Sequence, residues 1–153
     1  MRRKDKEITD RKAIDAILDE AEVIRVAMSN DDIPYIVCVN FGYDGKALYF
    51  HSANEGRKLD MIRKNSSVCF EAEIGAQVVP SDTECEWTAR FKSVVGQGRA
   101  RILETDEEKR KGLDVMMEKY APNRKFEYSD KVMSKVTAVI IEIDEVSGKK
   151  SGY

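Results

Sequence analysis

Histidine is almost missing from this chain: His51 is the only one in 153 residues. With no Cys-x-x-Cys pair either, the sequence argues against a zinc site, which draws its ligands from clustered Cys and His. The cysteines, Cys38, Cys69 and Cys85, are odd in number and lack metal-ligand spacing, so a closed disulfide set is not expected. Cys38 and Cys69 lie in apolar runs and read as small core side chains, whereas Cys85 falls in a polar loop and reads as exposed. No apolar run approaches the ~20 residues that span a bilayer. The basic opening "MRRKDKEITD" is followed by charge, unlike a secretory signal. Neither sign of charge dominates: 26 Lys and Arg against 28 Asp and Glu leave a net charge of −2. That balance gives no reason to expect nucleic-acid or membrane-surface binding, although it permits a small anionic ligand. The chain therefore reads as one cytoplasmic domain, residues 1–153, without repeats or low-complexity linkers.

What is present is an alternation of short apolar strands with a few helical stretches. Asp10 can cap a helix in which Ile14, Ile17, Leu18 and Ala21 share one face, ending near Glu20. Residues 23–29 and 34–42 read as strands, and Asp44-Gly45 as the reversal that returns residues 47–52 as the antiparallel partner of the second. A helix from about Ala53 to Lys64 leads to a strand at 67–74, and "GAQVVPSDTECE" reads as a loop. The run 87–103 alternates and then loses phase at Gly96 and Gly98, as a long strand bent at those glycines would. Thr105 and Glu108 form a capping-box pattern for a helix to about Tyr120, and residues 136–146 close the chain with a strand before the polar tail "SGKKSGY". The expected fold class is α+β: a split β-barrel of about six antiparallel strands, Greek-key-like, with about three helices.

The residues with chemical potential cluster in "YFHSANEGRKLDMIRKN". Arg57 and Lys58 stand where a helix begins, at the positive end of its dipole, where cations are disfavoured. A bound anion facing both the helix start and the two side chains offsets that cost, and an Arg fork with a Lys point charge suits a phosphate. Leu59 and Ile62 would anchor this helix to the core. Ser52 has two open readings, a capping box with Glu55 or a contact to the same anion. His51 is either structural or, with a pKa near neutrality, a proton donor to a neighbouring ligand. Asn40 either serves a turn or presents its amide to a polar heterocycle, and Ser93 is a similar small polar residue in an apolar strand.

The combination of "IPYIVCVNFGYDGKALYFHSANEGRKLDMIRKNSSVCFE" with "FKSVVGQGRARIL" resembles the pyridoxamine 5′-phosphate oxidase-like flavoproteins, and within them the NimA-like, 5-nitroimidazole-resistance-related branch. "MRRKDKEI" is similar to that branch too. The resemblance implies a split barrel binding FMN at a homodimer interface. By that similarity Arg57 and Lys58 hold the phosphate, and His51 and Ser52 lie along the phosphate and isoalloxazine side. Val37, Val39, Asn40 and Phe41 line the flavin largely through backbone groups, Ser93 and Val94 face it from a neighbouring strand, and His51 is the catalytic candidate. The chain departs from the pyridoxamine phosphate oxidases proper. It lacks their Trp- and Arg-containing C-terminal segment and the arginine early in the strand at 35–40, so vitamin B6 oxidation is not implied. The implied activity is a flavin-dependent oxidoreductase passing electrons to a small-molecule acceptor, nitroaromatics being one class. The alternatives are a non-catalytic FMN carrier or sensor, or a split barrel that binds haem or a deazaflavin.

Overall fold

The structure is a computed structural model describing residues 3–153; Met1 and Arg2, which open the basic N-terminal stretch, lie outside the described residues. Its strands are β1 (Glu7–Ile8), β2 (Val23–Asn30), β3 (Ile33–Asn40), β4 (Gly42–Tyr43), β5 (Ala47–Ala53), β6 (Ser67–Val79), β7 (Thr88–Ile102) and β8 (Val136–Ser151). The helices are α1 (Arg11–Glu20), α2 (Arg57–Lys64), α3 (Asp106–Tyr120) and the four-residue α4 (Asp130–Met133). The strands form one antiparallel sheet in the order β3-β2-β6-β7-β8-β5-β4, with β1 added to β8. Two strands beyond the expected six are the two-residue β1 and β4, too short to leave a periodic signal. No helix among the described residues is long and apolar enough to cross a membrane.

The sheet does not close. Its two ends, β3 and β4, are consecutive in sequence, joined through Phe41 alone, so the chain leaves one edge and continues on the other. This corrects the expected hairpin: β3 pairs with β2 along its length, and the Asp44-Gly45 reversal pairs only Gly42 and Tyr43 with β5. The physical reason is packing at the crossover. The Phe41 ring is wholly buried, and α3 passes so close to Gly42 that a Cβ there would stand 2.6 Å from the Met116 backbone. Only glycine admits that approach.

Two apolar layers result. The inner one joins Ile17 and Leu18 of α1 and Leu59 and Ile62 of α2 to strand residues such as Phe50 and Phe70. The outer one packs Leu113 and Met116 of α3 and Met133 of α4 on Ala47, Tyr49 and Ala138. β5 is thus covered on both faces, which is why Ala47, Leu48, Tyr49 and Phe50 are all buried. Asp10 caps α1 and the Thr105–Glu108 capping box opens α3, as the sequence indicates. Three readings need correction. β6 runs on to Val79 as a hairpin arm with β7, past a bulge at Gly75, where a loop is expected. β8 continues through the polar tail to Ser151 because the long β7 supplies backbone partners whatever the side chains. Cys38 is exposed, since β3 is an edge strand whose alternate residues point away from the core. The bend read at the glycines of β7 is present as a register shift between Gln97 and Gly98.

Asp44 organises the β4–β5 turn, accepting from the backbone N–H groups of Lys46 (2.9 Å) and Ala47 (2.8 Å) and from the Tyr49 hydroxyl (2.9 Å). Burial raises its pKa, but these bonds outweigh it and hold the carboxyl below its usual range. A pKa depressed in the folded state contributes stability that is present above the unfolded value of about 3.9 and lost as pH falls through the folded one. Thermal melts descending through that acid window should show a shallower decline for Asp44→Asn than for the parent chain. Identical acid slopes would remove Asp44 from the pH response.

Candidate functional site

The split between β3 and β5 leaves two strand edges without partners. Among the described residues β3 pairs with β2 only, and the pairing of β5 with β4 stops at Tyr49, so one side of His51, Ser52 and Ala53 has no neighbouring strand among them. Such edges present unpaired N–H and C=O groups to whatever lies in the gap. The alternation of each strand then sorts the side chains onto two sides of it.

On the inner side, Ser52 follows Leu48 and Phe50 in facing the core, while Val37 and Val39 pack half-buried against the same cluster. Ser52 is 4% exposed, and its Oγ, fully buried, has no hydrogen-bond partner among the described residues. An orphaned buried hydroxyl costs about 1–3 kcal/mol, so its persistence asks for a missing partner. α2 begins soon after. The expected capping box at Ser52 is not formed, because β5 stays paired with β8 through Ala53 and keeps Ser52 extended. The helix starts instead at Arg57, behind Gly56 at φ 133°, a conformation that favours glycine, and it carries no side-chain cap. Arg57 and Lys58 are its first two residues. Among the described residues neither meets a carboxylate; the Arg57 guanidinium lies 4.4 Å from the centre of the Tyr35 ring of β3. Leu59, fully buried, and Ile62 fix the helix to the core, so the two cations and the uncapped N–H groups are held in place. An orphan hydroxyl, a helix start without a side-chain cap and two cations without a carboxylate partner among the described residues have the chemistry that suits a phosphate group.

On the outer side, His51 and Asn40 open into a cavity of about 420 Å³ under α3 and α4. Its other walls are Leu113, Met116 and Met117 of α3, Tyr128, and Val132 of α4. These residues escape a reading focused on polar motifs. Their signal is the spacing of Leu113, Met116, Met117 and Tyr120, a helical stripe of which only part is used by the core. The Tyr128 hydroxyl donates to Asp114 (3.0 Å), and burial together with that carboxylate pushes its pKa up to about 12, so the phenol stays neutral. His51 and Ser52 are therefore neighbours in sequence that serve opposite faces of β5.

Three residues expected at the site are placed otherwise. The side chains of Phe41 and Val94 are wholly buried in the core, and the Phe41 N–H is taken by the Tyr120 hydroxyl at 3.1 Å. β7 has neighbours on both edges, so Val94 offers no free backbone. Ser93 is buried and pairs with Lys149, at the opposite end of β8 from Ala138, the partner of His51. Within one chain Ser93 and Val94 do not reach the split, because β8 lies between β7 and β5. Val37 and Val39 do border it, along the unpaired edge of β3.

The fold and these residues have counterparts. A curated relative, an uncharacterized protein of Rhizobium meliloti strain 1021, is 29% identical over 96 residues, 63% of this chain and 56% of that protein, so the match spans little more than half of the relative's length. The solved structure of a candidate 5-nitroimidazole antibiotic resistance protein from Bacteroides thetaiotaomicron VPI-5482 is 32% identical, covering 94% of this chain and 86% of its own, with a TM-score of 0.83. A protein of Mycobacterium smegmatis that binds FAD and haem superposes with a TM-score of 0.87 over 97% of this chain and 74% of its own; at 24% identity the likeness is one of fold. The pyridoxamine 5′-phosphate oxidase family model matches residues 10–150. With that match across nearly the whole length, the chain belongs to the pyridoxamine 5′-phosphate oxidase family.

Proposed function

We propose that this protein binds FMN in the split between β3 and β5 and acts as a flavin-dependent reductase of the cytoplasm. The observation that carries the reading is the buried Ser52 Oγ, without a hydrogen-bond partner among the described residues, five residues before a helix start whose Arg57 and Lys58 meet no carboxylate among them. Arg57 would grip two phosphate oxygens as a planar fork and Lys58 would add a point charge, with the first-turn N–H groups and Ser52 completing the shell. The unpaired edge of β3 at Val37, Val39 and Asn40 would hold the flat ring system through backbone groups. FMN, when bound, supplies the hydride or electron transfer; the protein supplies binding and orientation. His51 would hold a proton on an imidazole nitrogen, Nδ1 or Nε2, and deliver it to the acceptor in the cavity.

The family match and the 5-nitroimidazole-related structure support a redox role, and a nitroimidazole is one acceptor to try. Pyridoxamine phosphate oxidation is not favoured, because no cation lines the cavity to take a substrate phosphate. Homodimerisation is part of the proposal. Ile36, on the outer side of the edge strand, is 61% exposed, and Ile33, which opens the strand, is 57% exposed; a second copy would cover them while bringing the β7 segment that holds its own Ser93 and Val94 towards the split. Haem is the second reading: His51, Met116 and Met117 share one cavity and are of axial-ligand type.

Titrating the purified protein with FMN and, separately, with haemin tests both. A flavin spectrum perturbed at one FMN per chain supports the first, and a haem spectrum without FMN binding transfers the assignment. His51→Ala should leave FMN affinity within a few-fold and lower the rate at which a nitroimidazole reoxidises the reduced flavoprotein by about 100-fold, the lower range for loss of a general acid. An unchanged rate would leave the carrier or sensor reading with no assigned role for His51.

A further inference from the structure

We propose that the cavity beside His51 is a binding site, distinct from the phosphate-gripping side, for an uncharged flat molecule whose N–H or O–H donor is accepted by Asn40 Oδ1, and that Tyr120 is the residue that orients this amide. The proposal rests on the flavin reading only in placing this ligand next to the cofactor.

The argument starts from the single proton of the Tyr120 hydroxyl. It lies 2.6 Å from the Glu22 carbonyl oxygen, which can only accept, so the hydroxyl donates there. Its oxygen is then left to accept, and it does so from the Phe41 N–H at 3.1 Å and from Asn40 Nδ2 at 3.4 Å. Turning the Asn40 amide over would set two acceptors against each other. The Asn40 NH2 group is thereby assigned to Tyr120, and Oδ1, which has no partner among the described residues, remains for a ligand.

The rest of the cavity decides what that ligand is. None of the lining residues is Asp, Glu, Lys or Arg, and the Tyr128 hydroxyl is turned away to Asp114. An anion would meet no Lys or Arg, only the His51 imidazole, and would face the lone pairs of Oδ1; a cation would find no carboxylate. Met116 and Met117 offer polarisable sulfurs that favour an aromatic face, and about 420 Å³ suits a small ring system. A molecule lacking the donor would leave Oδ1 desolvated and unpaired, which is what makes Asn40 selective.

Indole, its isostere benzofuran without the N–H, and indole-2-carboxylate are titrated into the FMN-loaded protein, with binding read from backbone amide shifts. Indole is expected to bind about tenfold more tightly than either of the others. Tyr120→Phe and Asn40→Ala should each bring indole and benzofuran to within about twofold, the first by freeing the amide and the second by removing it. A loss of packing alone would weaken both probes equally and keep their ratio, so a preserved ratio in both variants overturns the proposal. So does equal binding of all three probes to the parent protein. Repeating the titration without FMN separates the two readings. If FMN displaces indole, the cavity is the seat of the cofactor itself, which overturns this proposal and leaves FMN binding intact. If indole binds selectively and FMN does not bind, the cofactor reading fails and the site stands.

Discussion

Replacing Arg57 and Lys58 together by Ala should, on the proposed reading, weaken FMN binding by about 3–6 kcal/mol, or roughly 100-fold to 10⁴-fold, at about 1.5–3 kcal/mol for each charge-assisted contact. The FMN-free protein should behave in the opposite way. Both side chains project from the first turn of α2 without a carboxylate partner among the described residues, and α2 is held by Leu59 and Ile62 rather than by them. Removing two cations from the positive end of a helix dipole leaves stability unchanged or improves it by a few tenths of a kcal/mol. Ser52→Ala extends the argument: deleting an unsatisfied buried hydroxyl should stabilise the empty protein, while costing FMN about one hydrogen bond, ~1 kcal/mol. Fluorescence titration with FMN, paired with melts of the empty protein, reads both quantities. An affinity that survives the double replacement would place the phosphate elsewhere. A parallel loss of stability in the empty protein would mean the two cations serve the fold.

Phe41→Ala should be the most damaging single change to the fold, at about 3–5 kcal/mol, the range for truncating a buried phenylalanine. For a chain of this size that lowers Tm by about 10 °C or more. The ring is 0% exposed at the one point where the chain crosses from one sheet edge to the other. The Lys119 ammonium lies 4.0 Å from its centre while also donating to the carbonyls of Leu18 (2.6 Å) and Asp19 (3.0 Å) at the end of α1. Burial pushes the Lys119 pKa down, which the two carbonyls and the ring face tolerate because they favour the charged form. Truncation would thus remove core volume, the cation's aromatic platform and the fixed spacing of β3 from α3. Denaturant unfolding should show a lower midpoint with an unchanged slope. A loss below about 1 kcal/mol would show that the crossover repacks freely.

How far the residues announced this arrangement differs from element to element. α1 and α3 were readable because caps and apolar spacing are local: Asp10 bonds two residues away and Thr105 three. The same holds for the placement of Arg57 and Lys58 in a first turn. The reading failed where a partner distant in sequence decided the outcome. Ser52 has the pattern of a cap, yet Thr137 of β8 holds it in a strand. Cys38 sits in an apolar run, yet edge position turns it outward, and the polar tail becomes strand because β7 is there to pair with it. Which chain's Ser93 and Val94 could face a ligand in the split is likewise not a local matter, because within one chain the strand order puts β8 between them and β5.

The linear chain was enough to settle its class, its family likeness and the place of Arg57 and Lys58 at a helix start, since each depends on interactions within a few residues or on motif identity. The tertiary structure alone decided that His51 and Ser52 look to opposite faces, that the sheet stays open at Phe41, and that a neutral cavity lies under α3. These follow from which strand edges find partners, and hydrogen bonding between backbones far apart along the chain leaves almost no trace in the side chains that carry it.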